Sequence, residues 1–477
     1  MQRLNKISGQ QQIRLLINIF VFVSLFIYVL LRALNLSFTY DECLSLRIVN
    51  GDKALEATAN NHLLNTFLMA LCSKVFGDNE ISLRLPNVLA FVVYCLSAIG
   101  ILKEQKNNLF YLFGISLLFF NLYLLDFFSL ARGYGLSMGF MMGALYFLLK
   151  PSTGTYLSNF IKAMLCSSLA LFSNLALLNF YLAVFFLFVF AYLRISRKDK
   201  NHSFKQHGRF MLMCLLALVP LWFAVQRVLY LKTGGQLYFG EDSFDSTLSL
   251  LLRKSLFLAP YPEWFIVLID QFIRYIFPLG LSITILMKKF SGPLAKISMV
   301  MVLIMISLFL ENSLFSATYP PSRTNVYFIP LFGLFIYFFF GQLVQNRSPV
   351  TQRVVAIALL LIISLPPTLP LLLTLNLTNT VEWRYDSHTK DAVMAMKSEM
   401  ERLPAKAEKT ILETNWVFEP SAKYYVSLHK LNVVLLNRDS IGLNSDFLYD
   451  YETSFKEGGY VELARYPEFD SRIYKKE

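Results

Sequence analysis

Asp41 and Glu42 stand just past the first long apolar stretch of the chain, Leu15 to Leu34, where a helix leaving a bilayer meets water. Charged side chains at that depth are expensive to keep and mark function unless something pairs them. The hydropathy pattern places His62, Arg84, Arg132 and Arg323 at the same membrane face. An acid facing several cations at a lipid–water boundary suits chemistry on a lipid-linked phosphate. The carboxylate accepts a proton from a hydroxyl as a bond forms, and fixed cations stabilise the charge developing on a phosphate leaving group.

Each of these residues also has a plainer use. Thr39 or Asp41 can cap a helix, with acids favoured in its first turn, but capping accounts for one acid and not for two. Asp41 is read as the general base and Glu42 as a second catalytic candidate. His62, Asn65 and Thr66 fall at i, i+3 and i+4, one polar stripe on an otherwise apolar helix, and such a stripe needs a partner in protein or ligand. His62 can bind phosphate, ligate a divalent ion or orient Asp41, and Glu42 is the other group that could serve such an ion. Asn65 belongs with the candidate substrate-binding residues. Arg132 is a donor-phosphate candidate, or else an arginine at a helix end paired with Asp126. Arg323 is a second phosphate candidate, or an interfacial anchor. Arg84, before Leu85-Pro86, reads as topological and structural. Tyr134 and Tyr319 can line a sugar pocket, although aromatic belts put tyrosines at this depth anyway.

The elements that must position these groups follow from composition. Of 477 residues, 55% are hydrophobic and only 16% charged, against about a quarter charged in soluble domains. Hydropathy and charge give about eleven spans, near 15–34, 86–102, 109–125, 133–149, 158–172, 175–193, 210–231, 264–287, 297–315, 324–345 and 354–375. The first carries no cleavage-site pattern and reads as a retained span. The net charge of +12 sits in short loops: Arg194, Arg197, Lys198, Lys200, Lys205 and Arg209 form one cluster, and Lys288, Lys289 and Lys296 another. With Arg3, Lys6 and Arg14 these define the inner side, so the charge is a topology signal and implies no nucleic-acid partner. Residues 35–85, 126–132, 232–263, 316–323 and those after 376 fall on the outer side, with a tight turn at Ser173-Asn174 keeping that register.

Asp41 to Asn50 and Asn61 to Phe76 read as helices lying along the membrane surface. Gly135, Gly139 and Gly143, four apart, read as a close-packing helix face. In the acidic loop 232–263, Glu241, Asp242 and Asp245 are solvated by default, or control admission of an acceptor. After Leu375 the composition turns polar. Helices are expected at Thr389–Arg402 and Pro420–Lys430, and strands at Lys409–Glu413, Val433–Asn437, Tyr460–Arg465 and Arg472–Lys476. The division is therefore a transmembrane module over 1–375 and an extracytoplasmic α/β domain over 376–477. The five cysteines show no disulfide or zinc spacing, and no phosphate-cradling loop, dinucleotide fingerprint, HExxH or GxSxG is present.

Tyr40-Asp41-Glu42 after the first span resembles the acidic motif in the first outer loop of the GT-C glycosyltransferases, among them the protein O-mannosyltransferases and the lipid A aminoarabinose transferase. The run Asn60 to Pro86 (NNHLLNTFLMALCSKVFGDNEISLRLP) is similar to the start of the bacterial RgtA/B/C/D-like domain, with Leu63 where many relatives have proline. Asp126 to Ser137 (DFFSLARGYGLS) and Pro320 to Phe332 (PPSRTNVYFIPLF) resemble its later arginine-bearing segments. The resemblance implies an integral protein of the bacterial inner membrane that takes a sugar from a polyprenyl-phosphate carrier outside the cytoplasm. It would pass that sugar, with inversion, to a glycan, lipid or protein. It implies Asp41 as the base and Arg132 and Arg323 as holders of the donor phosphate. The competing reading is a transporter or flippase of lipid-linked saccharides, which should show duplicated halves and mid-membrane charges. The transferase reading requires Asp41, Arg132 and Arg323 to converge on one cleft.

Overall fold

The computed structural model describes residues 9–150, 155–198, 204–237, 239–257, 261–286, 292–403, 408–437, 445–451 and 459–477. The basic residues Arg3, Lys6, Lys200, Lys288 and Lys289 lie outside them. Each stretch expected to span is mostly helical over its described residues. Among the described residues seven helices are long and apolar enough to cross a membrane: Gln11–Asn35, Glu80–Leu102, Leu175–Arg197, Gln206–Thr233, Glu263–Ile285, Pro293–Phe315 and Pro349–Leu373. The chain is an integral membrane protein. The remaining expected spans are shorter. The 109–125 stretch breaks into Asn108–Phe119 and Leu122–Asp126, where Asn121 caps the second piece through Leu124 N–H at 3.0 Å.

Apolar side chains such as Phe20, Phe190, Met211 and Trp222 face outward, as lipid-facing surfaces must. Helix Gly133–Leu149 is instead buried almost all round. A Cβ on Gly139 would lie 2.6 Å from the Ala90 carbonyl, so only glycine lets helix Glu80–Leu102 pack this closely.

At one end Arg14 Nε donates to Asn108 Oδ1 at 2.9 Å, and Lys296 Nζ donates to the Leu148 carbonyl at 2.8 Å. At the other, Glu241 and Tyr319 exchange backbone hydrogen bonds, and Lys254 lies 3.6 Å from Glu382.

The two helices expected after the first span run over Tyr40–Val49 and Leu63–Phe76. Beyond the last apolar helix lies a small domain built on five strands: β1 Thr410–Thr414, β2 Val433–Asn437, β3 Phe447–Asp450, β4 Tyr460–Tyr466 and β5 Ser471–Lys476. The order is β2-β1-β3-β5-β4, with β1 parallel to β2 and β3, and β5 antiparallel to β3 and β4. Helices Thr389–Arg402 and Glu419–Leu428 accompany the sheet. The central strand β3 was not expected: all four of its residues are buried, so it shows no polar–apolar alternation.

This sheet does not keep its core to itself. Leu412, Phe418, Tyr425, Phe447 and Val393 pack with Phe38, Cys43, Leu46, Met69 and Leu83 of the outer loop and the helix that follows it. Hydrogen bonds seal the contact. Phe38 N–H donates to Tyr425 Oη at 2.6 Å, and Tyr424 Oη donates to the Asp78 carbonyl at 2.7 Å. The lead-in to the domain is pinned as well. Arg32 pairs with Asp126 at 2.6 Å and donates to the carbonyls of Asn376 and Asn379, while Asp126 accepts from Val381 N–H at 2.8 Å.

Candidate active site

Helix Tyr40–Val49 begins at a crowded N-terminus. Glu42 accepts from Thr39 N–H at 2.9 Å, and Asp386 of the C-terminal domain accepts from Tyr40 N–H at 2.7 Å. Both carboxyl groups satisfy amides that the first helical turn leaves without partners. Asp41 and Glu42 are neighbours on this helix and so project about 100° apart. They enter different surroundings.

Glu42 turns inward and has zero exposure. Its carboxylate accepts from Arg84 Nε at 2.8 Å, Arg84 Nη2 at 2.8 Å, Ala131 N–H at 2.6 Å and both Thr39 donors. Arg84, equally buried, donates to the carbonyls of Ala33, Leu36 and Ser37. The pair bolts helix Tyr40–Val49 to the end of the first span and to the 126–132 segment.

Asp41 turns the other way. Its Oδ2 lies 3.3 Å from Arg323 Nη1 and 3.6 Å from Arg132 Nη2, yet accepts no hydrogen bond. Asn60 Nδ2 is 3.5 Å from Oδ1. The two arginines differ. Arg132 is fully buried and committed, donating to the Asp41 carbonyl at 3.1 Å, to Ser45 Oγ at 2.8 Å and to Asn60. The Arg323 side chain is 37% exposed and lies over the Trp383 ring at 5.7 Å. Burial pulls its guanidinium down, but acidic neighbours, Asp41 and Glu382 among them, outweigh this and hold it above its ordinary value.

The polar stripe finds protein partners. His62 Nδ1 lies 2.8 Å from the Ser173 carbonyl, which fixes the proton on that nitrogen. Burial first, then the Arg132 and Arg323 charges, push the imidazole well below its usual range, so it is neutral. Tyr134 meets it edge-on at 4.7 Å. Asn65 donates to the Ala131 carbonyl at 2.9 Å and accepts from Asn87 at 2.8 Å, and Thr66 donates to Asn61 at 2.9 Å. Gly133 is wedged here: an added Cβ would collide with the Ser173 carbonyl and lie 2.8 Å from His62 Nδ1.

Among the described residues no three His, Cys, Asp or Glu side chains converge to hold a metal ion. Glu42 spends its oxygens on Arg84, Ala131 and Thr39, so these residues do not fit a divalent ion. Asp126 pairs with Arg32 and not with Arg132, because Arg32 reaches it from the outer end of the first span. Tyr319 lines the Glu241 bridge, and Asp245 is paired with Arg274.

Several residues at the site were not expected from sequence. Glu382 accepts from Tyr123 Oη at 2.5 Å and from Ser322 Oγ at 3.2 Å, with Lys254 at 3.6 Å. Trp383 and Asp386 complete the wall. Their signal was positional: Glu382-Trp383-Arg384-Tyr385-Asp386 follows the last apolar helix much as Tyr40-Asp41-Glu42 follows the first.

No protein-family model matches the chain, and no curated protein does. The fold, by contrast, aligns with ArnT from Cupriavidus metallidurans in the apo state over 96% of this chain and 97% of that one, with 10% identity and a TM-score of 0.51. A structure of the same protein bound to undecaprenyl phosphate aligns over the same shares at 13% identity, with a TM-score of 0.49. The chain thus shares the fold of ArnT from Cupriavidus metallidurans, carried by apolar helices with a small C-terminal sheet domain.

Proposed function

We propose that the protein transfers a glycosyl unit from a polyprenyl-phosphate carrier to a hydroxyl-bearing glycan, lipid or protein acceptor at the extracytoplasmic face of the bacterial inner membrane. The observation that carries this reading is the Asp41 carboxylate. It is 7% exposed, faces two guanidinium groups from distant parts of the chain, and keeps Oδ2 without a hydrogen bond. A buried oxygen left this way suits a proton that arrives during reaction.

In this mechanism the acceptor oxygen attacks the anomeric carbon and its proton passes to Asp41 Oδ2. The bond from that carbon to the carrier phosphate breaks, its electron pair leaves with the phosphate, and the anomeric centre inverts. Arg323, the more exposed cation, turns to the donor phosphate and steadies the charge that grows on it. Withdrawing Arg323 from Asp41 also makes the carboxylate a better base just when the acceptor is present. Arg132 stays with Ser45 and Asn60 and fixes the direction of Asp41, and Tyr134 lines the cleft beside Arg323. Glu42, His62 and Asn65 hold the shape of the site through Arg84, Ser173 and Asn87.

The test is Asp41→Asn in purified protein assayed with a panel of polyprenyl-phosphate-linked hexoses and pentoses. Transfer should fall by about 100-fold or more with insertion and melting behaviour intact. An Asp41→Asn protein that transfers at the wild-type rate would refute the assignment, and saccharide translocation without transfer would establish a transporter.

A further inference from the structure

Residues 376–386, which lead from the last apolar helix into the sheet domain, touch both halves of the candidate site. The segment is anchored first. Arg32, fully buried, donates to the carbonyls of Asn376 and Asn379, each at 2.9 Å, and Asp126 accepts from Val381 N–H at 2.8 Å. The next two side chains reach the turn that bears Arg323, Ser322–Asn325. Glu382 Oε1 accepts from Ser322 Oγ at 3.2 Å and from Tyr123 Oη at 2.5 Å, and the Arg323 guanidinium lies 5.7 Å over the ring of buried Trp383. Asp386 then caps the Asp41 helix by accepting from Tyr40 N–H at 2.7 Å.

The segment is thus a strap between the two charged groups. The four residues from Glu382 to Asp386 span about 14 Å at full stretch, and the strap is folded tighter than that, since Asp386 N–H donates to the Trp383 carbonyl at 3.1 Å. The Arg323 turn and the start of the Asp41 helix cannot part without breaking it. Its side chains also suit a cation that must change partners. Arg323 Nη1 lies 3.3 Å from Asp41 Oδ2, and an arriving phosphate would draw it away. An aromatic face attracts a guanidinium without neutralising it. Trp383 can therefore keep the cation in place while its N–H groups turn to phosphate. Glu382 meanwhile fixes the hydroxyl next to Arg323 in the chain, with Lys254 of helix Phe244–Ser255 at 3.6 Å from its second oxygen.

We propose that Glu382 and Trp383 are positioning residues for the donor phosphate. They act through Arg323, Glu382 by holding Ser322 and Trp383 by seating the guanidinium beside Asp41. This rests on the transferase reading.

Trp383→Leu removes the ring face, and Glu382→Ala removes the acceptor for Ser322. In full-length protein purified in detergent, each should lower kcat/KM for a lipid-linked donor by about 10-fold with acceptor KM unchanged. Glu382→Gln, which keeps an acceptor oxygen, should recover most of that loss. Trp383→Phe, whose ring holds a cation more weakly, should lose about 3-fold, and it stands in if Trp383→Leu does not accumulate. The deciding measurement repeats these changes in an Arg323→Gln background. Residues that act through Arg323 have nothing left to position there, so the further loss should vanish. An equal loss in both backgrounds marks a merely structural role and overturns the proposal, as does wild-type kcat/KM in Trp383→Leu. A wild-type protein that transfers no carrier-linked sugar overturns the transferase reading instead, and thermal stabilisation by undecaprenyl phosphate alone then tests the strap. A need for about 10-fold more carrier in Trp383→Leu, but no more in Trp383→Leu/Arg323→Gln than in Arg323→Gln, upholds the positioning of a phosphate cation. Wild-type stabilisation in Trp383→Leu, or none in wild type, overturns it.

Discussion

Replacing Glu42 by glutamine should cripple folding, not chemistry. The carboxylate takes hydrogen bonds from Arg84 Nε and Nη2, the Ala131 amide and both Thr39 donors, with neither Glu42 nor Arg84 exposed at all. Glutamine keeps one acceptor oxygen and turns an NH₂ group toward donors. It also strips the only carboxylate that Arg84 touches among the described residues, leaving a buried cation uncompensated. Breaking one side of a buried ion pair costs about 3–5 kcal/mol, a large part of a typical folding stability. The assay is thermal unfolding of detergent-purified protein, run beside Asp41→Asn. Glu42→Gln should melt well below wild type, or fail to accumulate, whereas Asp41→Asn should melt near it. The double variant Glu42→Gln/Arg84→Met should recover much of the loss, since no stranded charge remains. A Glu42→Gln protein that melts like wild type and has lost only transfer would refute this reasoning and return Glu42 to the chemistry.

Arg323→Lys should lower kcat/KM for the lipid-linked donor by about 100-fold, because an ammonium cannot reproduce the planar fork, with little change in melting temperature; an unchanged kcat/KM would remove Arg323 from the phosphate. Gly133→Ala should cost about 1–3 kcal/mol and reduce transfer, read by melting and initial rate, since the new methyl meets the Ser173 carbonyl and His62. Burial, reinforced by nearby Glu42, pushes the Asp386 carboxyl up to about 8, against about 4 when unfolded. Its contribution to stability is therefore full below about pH 4 and is lost as pH rises through about 8. Wild type should lose melting temperature between pH 5 and 9 relative to Asp386→Asn, and parallel decline of the two would contradict the burial argument.

Much of this architecture was legible in the sequence because apolar length and periodicity are local properties. Helix Thr389–Arg402 and strand β2 were placed to the residue. The acidic pair was legible too, through its position after an apolar stretch. What could not be read was the division of labour within it. Adjacent residues on a helix differ only in direction, and Arg84, Ala131 and Thr39 occupy the Glu42 carboxylate while Asp41 Oδ2 is left without a hydrogen bond. The His62–Asn65–Thr66 stripe announced a need for partners, but Ser173, Ala131 and Asn87 come from other helices. Strand β3 escaped because a strand buried on both faces carries no alternation. Glu382 and Asp386 escaped because their one signal, a place shortly after the last apolar helix, is shared by any acid at the start of a polar domain.

The hydrogen bond from Phe38 to Tyr425 joins residues 387 positions apart. While the chain is being synthesised, the segment bearing Asp41 therefore waits, uncapped by Asp386 and uncovered by the sheet, until almost the whole polypeptide has been made. Stop codons introduced anywhere before the last strands should leave an inserted but inert membrane protein with a ragged outer surface, a natural substrate for membrane proteases.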